Sequence, residues 1–185
     1  MDKKHDSAGS KGRDTRGITL LELVMVLAVV AIVAATAVPE LAGLIAARRL
    51  EGAASNLAAD LQFVRSEALA RNRSLRLSVR SGVDATCWIV HTGAAGDCDC
   101  AAAAGIVCAP GASAIRSVVL PASEHVSITA NVASIVFDPL HGTSTPTGTL
   151  RIVDGRGRSI RHVVNIVGRV RSCSPAGEVA GYPAC

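Results

Sequence analysis

The chain opens on a polar stretch, becomes almost wholly apolar over residues 18–38 (ITLLELVMVLAVVAIVAATAV), and then settles into mixed patterns. Glu22 is the one charge in that apolar run. As helix, about 21 residues span roughly 32 Å, close to a bilayer core of about 30 Å and longer than the roughly 7–15 residues of a secretory h-region. No small-x-small cleavage site leads into a mature domain, so the segment is expected to stay. Beyond Pro39, apolar residues recur at three- and four-residue steps: Leu41, Leu44, Ile45, Leu50, Ala54, Leu57, Leu61, Val64 and Leu69, with charges between them. Pro39 removes one backbone hydrogen bond and is expected to bend the helix without ending it. The pattern therefore predicts one helix from Ile18 to about Asn72, about 55 residues or roughly 80 Å. Residues 18–38 form its transmembrane and assembly part, and residues 39–73 its amphipathic continuation.

From Ser74 the period changes to two. Leu75, Leu77 and Val79 alternate with Arg76, Ser78 and Arg80, the pattern of a half-buried strand. Further strands are predicted at 86–91, 116–120, 125–130, 133–137, 148–153 and 158–167, with Asp154-Gly155 as a hairpin signal between the last two. Residues 93–114, rich in Ala, Gly and Cys, read as a long surface loop. The expected class is α+β: a long N-terminal helix, half of it transmembrane, packed on an antiparallel sheet or sandwich formed by residues 74–185.

Composition sharpens this in two respects. Phe63, Trp88, Phe137 and Tyr182 are the only aromatic residues, so the core rests on aliphatic side chains and an aromatic base-stacking platform is not expected. All three lysines (Lys3, Lys4, Lys11) precede the apolar run together with Arg13 and Arg16. That placement predicts a cytoplasmic N-terminus and a C-terminal domain exported to the oxidising side of the membrane. In that compartment six cysteines are expected to form disulfides.

An ionised group inside a membrane span is unfavourable by up to about 3 kcal/mol and generally needs a partner. Cleavage after Gly17 would give Ile18 a free α-amine, and a neighbouring subunit's amine would neutralise Glu22. Arg16-Gly17-Ile18-Thr19-Leu20-Leu21-Glu22-Leu23 resembles the type III signal of type IV pilins and pseudopilins, departing only in Ile18 where Phe is commonest. The resemblance implies a leader at residues 1–17 cut between Gly17 and Ile18 by prepilin peptidase. It further implies N-methylation of Ile18, docking of Glu22 with other pilins or pseudopilins, and eventual incorporation into a filament. Pro39 also falls where pilin helices commonly carry a proline. The stretch 61–72 (LQFVRSEALARN), followed by an alternating strand, is similar to the FimT/GspH group, with Val64 in place of the usual Ala.

No enzyme signature is present: there is no G-x-S-x-G, P-loop, H-E-x-x-H or Cys-x-x-Cys. His91, Cys98, Cys100 and Cys108 do not have an established zinc spacing, and no metal or other cofactor is expected. Cys98 and Cys100 stand too close to pair comfortably with each other and are expected to reach Cys87 and Cys108, in either order. Cys173 and Cys185 bracket a Gly/Pro-containing tail. Since pilins often close the C-terminal region with a disulfide, this pair is expected to do so, contributing about 3 kcal/mol in the chain-entropy model.

Charge collects near the C-terminus. Between Arg151 and Arg171 lie six arginines (151, 156, 158, 161, 169, 171) and one acid, Asp154. A solvated strand face would need no more explanation than solubility. Yet guanidinium forks match phosphate oxygens, and Arg169 and Arg171 in an extended segment point to one side. Gly168-Arg169-Val170-Arg171 matches the GRxR motif of FimT-type minor pilins, which implies non-specific DNA binding in natural transformation. Gly155-Arg156-Gly157-Arg158 fits the same pattern in a turn, and Arg156, Arg158 and Arg161 are expected to extend the contact. The alternative is a GspH-like pseudopilin, a purely structural subunit of a type II secretion system.

Overall fold

The computed structural model describes residues 19–101, 105–175 and 177–185. The leader, the cleavage site at Gly17 and Ile18, and the methylation site at Ile18 lie outside the described residues. The chain divides into two compact units, one ending at Leu41 and the other comprising Ala42–Cys185.

Helix α1 (Leu20–Ala70) supplies the described structure of the first unit. Thr19 caps it, its Oγ1 accepting the Glu22 backbone N–H at 3.2 Å. Glu22 thus occupies the first turn, where a carboxylate complements the helix dipole. Leu20 through Val38 present exposed apolar side chains, and by length and composition the helix is long and apolar enough to cross a membrane.

In the second unit, α1 buries a seam of Leu50, Ala54, Leu57, Leu61, Val64 and Ala68. Steps of four and three residues keep these on one face. The seam begins later than periodicity predicts: Leu44 and Ile45 are exposed, and at the far end Ala68 is buried where Leu69 is exposed. Helical spacing marks an apolar face but does not say what covers it. The helix ends two residues before the predicted Asn72, because Asn72 takes a left-handed conformation. Its N–H donates to the Leu69 carbonyl, and that of Arg73 to the Ala68 carbonyl, closing the helix in a Schellman arrangement.

Two antiparallel sheets share this seam. One has the order β5-β2-β1-β7-β8, from β1 (Leu75–Ser81), β2 (Ala85–His91), β5 (Ala114–Pro121), β7 (Ser134–Phe137) and β8 (Ser144–Thr145). The other has the order β11-β10-β9-β6, from β6 (Val126–Ala130), β9 (Gly148–Asp154), β10 (Ser159–Val164) and β11 (Val170–Cys173). The Ile128 backbone N–H donates to Thr86 Oγ1 at 3.0 Å and links the two sheets.

Two features depart from the sequence expectation. The segment read as a loop contains a hairpin, β3 (Cys98–Ala101) paired with β4 (Gly105–Cys108), held by Cys87–Cys100 and Cys98–Cys108 disulfides. Cross-links hold strands too short and too small-sided to show a period. The predicted strand 158–167 ends at Val164, and the chain turns through 165–168 into β11. Cys173 pairs with Cys185, returning the tail to β11.

Asp60 is the polar exception on the buried helix face. Its Oδ2 accepts the Trp88 indole N–H at 2.7 Å and its Oδ1 the Arg116 Nη1 at 2.7 Å, while the Arg116 guanidinium lies 4.3 Å over the Phe63 ring. This network ties β2 and β5 to the helix. Asp60→Ala leaves the indole N–H unpaired in the core, and is expected to destabilise by about 2 kcal/mol. Arg116→Ala removes a half-exposed partner and should cost less. Urea unfolding of the detergent-solubilised chain, followed by the fluorescence of buried Trp88, measures both; equal effects would deny the indole bond its role.

His162, on the core side of β10, gives a pH dependence. Its Nδ1 lies 2.8 Å from Ser172 Oγ, whereas its buried Nε2 has no hydrogen-bond partner. Burial pushes its pKa down from 6.5 to about 4, against the opposing pull of the Ala54 backbone carbonyl. The unfolded chain therefore takes up a proton near pH 6.5 that the folded chain refuses until about pH 4. Stability is complete above pH 6.5 and falls as pH drops towards 4, by up to about 3 kcal/mol. His162→Gln should flatten the unfolding free energy across that window relative to the unsubstituted chain; parallel pH profiles would refute the assignment.

Candidate nucleic-acid interface

The arginine-rich strands form the outer layer of the second sheet. Along β9, Gly148, Leu150, Ile152 and Asp154 are buried, whereas Thr149, Arg151 and Val153 are half-buried on the other face. Register pairs Arg151 with Arg161, Arg161 with Cys173, and Arg171 with Val163. Period-two geometry therefore sets Arg151, Arg161 and Arg171 on one face, away from the helix. Thr129 lies opposite Arg151 on β6, and no Asp or Glu occupies an outward position on these four strands.

Directly opposed like charges destabilise a sheet. Arg151 and Arg161 nevertheless face each other, and Arg151 Nε is buried without a partner. Among the described residues, no hydrogen bond or ion pair engages the guanidinium groups of Arg161, Arg169 or Arg171.

Arg169 sits at the end of the turn before β11. Asn165 shapes that turn: its Oδ1 accepts the Arg169 N–H at 2.8 Å, and its carbonyl accepts the Gly168 N–H at 2.9 Å. Ser144 anchors it further, Oγ donating to the Asn165 carbonyl at 2.6 Å and N–H to the Ile166 carbonyl at 2.9 Å. Gly168 has φ +71°, and a Cβ there would stand 2.5 Å from the Gly142 carbonyl oxygen and 3.0 Å from Arg65 Nε. Its lack of a side chain thus permits a close approach within the chain. Arg169 lines a cleft with α1, and Arg171 a separate one with the tail Pro183–Cys185.

The second Gly-Arg-Gly-Arg stretch behaves differently. Asp154 Oδ1 accepts the N–H groups of Arg156 and Arg158, and its Oδ2 pairs with the Arg158 guanidinium at 2.7 Å. The Arg156 guanidinium packs against Gly43 on α1, and Arg158 Nη2 reaches the Gly43 carbonyl at 3.4 Å. Arg158 is committed to the turn. Gly43 and Arg65 lie roughly 33 Å apart along the helix, so the two repeats stand at opposite ends of the unit. Arg161 lies between them, on the outward face it shares with Arg151 and Arg171, whereas Arg156, Arg158 and Arg169 reach towards α1.

Arg65, in the stretch 61–72 that carries the family resemblance, meets the turn at Gly168 although it lies outside the arginine-rich strands. Its Nε donates to the Gly142 carbonyl at 3.0 Å. The available signal was a long cation flanking the buried seam, where it can reach past the helix. Among the described residues no group of three or more His, Cys, Asp or Glu is placed to hold an ion, and all six cysteines are paired.

Residues 53–168 match the family described as type II transport protein GspH, and residues 12–38 match the prokaryotic N-terminal methylation motif. No curated protein matches the chain. Solved structures similar to it include type IV minor pilin FimU of Pseudomonas aeruginosa strain PAO1. In one crystal form it is 20% identical, covering 67% of this chain and 87% of that one at a TM-score of 0.48; in another it is 19% identical, covering 66% and 91% at 0.49. The minor pseudopilin EpsH from the type 2 secretion system of Vibrio cholerae is 16% identical, covering 68% of this chain and 97% of that one at 0.45. With the GspH match extending over more than half the chain, and the methylation motif preceding it, this is a pilin-like protein of the GspH family.

Proposed function

We propose that the protein is a minor pilin that assembles into a type IV pilus and binds DNA non-specifically through its arginine strip, for uptake in natural transformation. The observation that carries this reading is the outward Arg151–Arg161 pair, continued by Arg171 and by Arg169 at the turn. Such a pair is unfavourable alone and favourable against an anion, and guanidinium forks bind phosphate oxygens in bidentate geometry. The strip follows strands for roughly 20 Å, long enough to meet several phosphates of a duplex. Arg156 extends it at the hairpin tip, and Arg158 contributes charge while remaining tied to Asp154.

Assembly in this reading begins with a leader at residues 1–17. Prepilin peptidase cuts between Gly17 and Ile18, Ile18 is N-methylated, and Glu22 accepts the amine of a neighbouring pilin. The apolar helix crosses the inner membrane once, with the N-terminus cytoplasmic and the Ala42–Cys185 unit in the periplasm until filament entry. The exposed apolar face of Leu20–Val38 supports this, since only lipid or other helices would cover it favourably. Mass spectrometry of the membrane-extracted protein should find a chain beginning at methylated Ile18, and Glu22→Ala should leave cleavage intact while reducing filament incorporation. An uncut leader in a host with active peptidase would exclude this route.

DNA binding is tested on the detergent-solubilised chain with labelled duplexes across a salt series. Affinity should fall linearly with log salt, and changing Arg169 and Arg171 together to Gln should lower the slope by roughly 2, alike on every sequence. The same change at Arg48 and Arg49 on α1 should have less effect. Equal losses from the two pairs would indicate general basicity. Absence of binding at low salt would favour the structural pseudopilin of a type II secretion system, the reading suggested by the family's description.

A further inference from the structure

Between α1 and the 165–169 turn lies a cleft of about 420 Å³, lined by Gln62, Arg65, Ser66, Leu69 and residues Gly168–Val170. Arg65, Arg169, Gln62 and Ser66 are its polar lining residues and no acid is among them, the Ser66 hydroxyl donating to the Phe63 carbonyl at 2.9 Å. Arg65 is fixed by one donor only: Nε holds the Gly142 carbonyl, and among the described residues no partner engages its Nη groups. It is half-buried, so the side chain enters the cleft already ordered. Across the opening, Asn165, Ser144 and the tight Gly168–Gly142 approach fix the backbone that carries Arg169. Two cations carried on separate rigid elements, with the Gln62 amide beside them and no acid in the lining, form a receptor for an anion.

We infer that this cleft is a phosphodiester subsite of the DNA-binding surface, with Arg65 on the helix wall and Arg169 on the turn gripping one backbone phosphate. The inference deepens the DNA-binding reading and rests on it. It extends the surface around the edge of the sheet onto α1, to a residue outside the arginine-rich strands. Arg65 has two tasks there: Nε keeps the 142 and 168 segments in place, and the Nη pair faces the phosphate.

The test compares Arg65→Gln, Gln62→Glu and Arg49→Gln in the full detergent-solubilised chain, by anisotropy of a labelled duplex between about 50 and 200 mM salt. Arg65→Gln should lower the slope of log affinity against log salt by about 1 and weaken binding roughly threefold or more. Gln62→Glu adds a carboxylate to the exposed wall of the cleft, leaves the Arg65–Gly142 bond intact, and should also weaken binding. Arg49→Gln, outside the cleft, should behave as the unsubstituted chain. Trp88 fluorescence reports folding of each variant; should Arg65→Gln unfold, Gln62→Glu decides alone. Affinity and slope unchanged in both cleft variants, while the Arg169/Arg171 double change still lowers the slope by roughly 2, would overturn the subsite and leave the strip standing. Weaker binding by Arg65→Gln at an unchanged slope, with Gln62→Glu unaffected, would reduce Arg65 to a support for the turn and also overturn the subsite. Absence of binding by the unsubstituted chain would remove both readings together.

Discussion

One helix face organises everything after residue 42. The seam from Leu50 to Ala68 is the surface on which both sheets close, and its leucines are fully buried. Full burial contributes about 2 kcal/mol per such side chain. With only four aromatic residues, the sheets meet the seam mostly with aliphatic side chains, among them Leu75, Leu77, Ile128, Ile135, Leu150 and Ile152. Polar contacts then fix what burial alone leaves adjustable. Asp60 sets the first sheet through Trp88 and Arg116, while Gly43 meets the β9–β10 turn of the second and Arg65 holds the β7–β8 loop beside Gly168. Register and orientation follow from these points, because apolar contact is non-directional and a hydrogen bond is not.

The sequence made the helix and the longer strands legible because each has a period its burial enforces. In β9 the alternation runs through seven residues, and the strand was predicted within one residue of its end. The β3–β4 hairpin has no such signal. Its residues are small, and two disulfides provide constraint that side-chain packing would otherwise supply. Strand β11 was hidden for a different reason: the Asn165 turn lies inside what reads as one long strand, and Asn165 looks like any outward polar residue. Leu44 and Ile45 show the converse limit, being apolar at helical spacing yet uncovered by the chain's own sheets.

At the candidate interface, the sequence grouped six arginines by proximity along the chain, and the fold regroups them by what they touch. Asp154 claims Arg158, the helix at Gly43 receives Arg156, and Arg151, Arg161 and Arg171 share an outer face. Arg65, about a hundred residues earlier, joins Arg169 at one cleft. No reading of local charge finds that meeting, since it depends on a turn whose course is set by Ser144 and Gly142.

The four residues 168–171 therefore have separate physical causes. Gly168 is required by the fold: the Gly142 carbonyl and Arg65 fill the space a side chain would take, whether or not a ligand is bound. Val170 packs towards the core. Neither gives information about binding. What remains is Arg169 and Arg171, which the fold orients but does not use, together with an Arg151–Arg161 pair that intramolecular stability alone would disfavour. A glycine in such a motif testifies to a close approach of chain segments. The proposed binding role rests instead on cations whose guanidinium groups have no partner among the described residues.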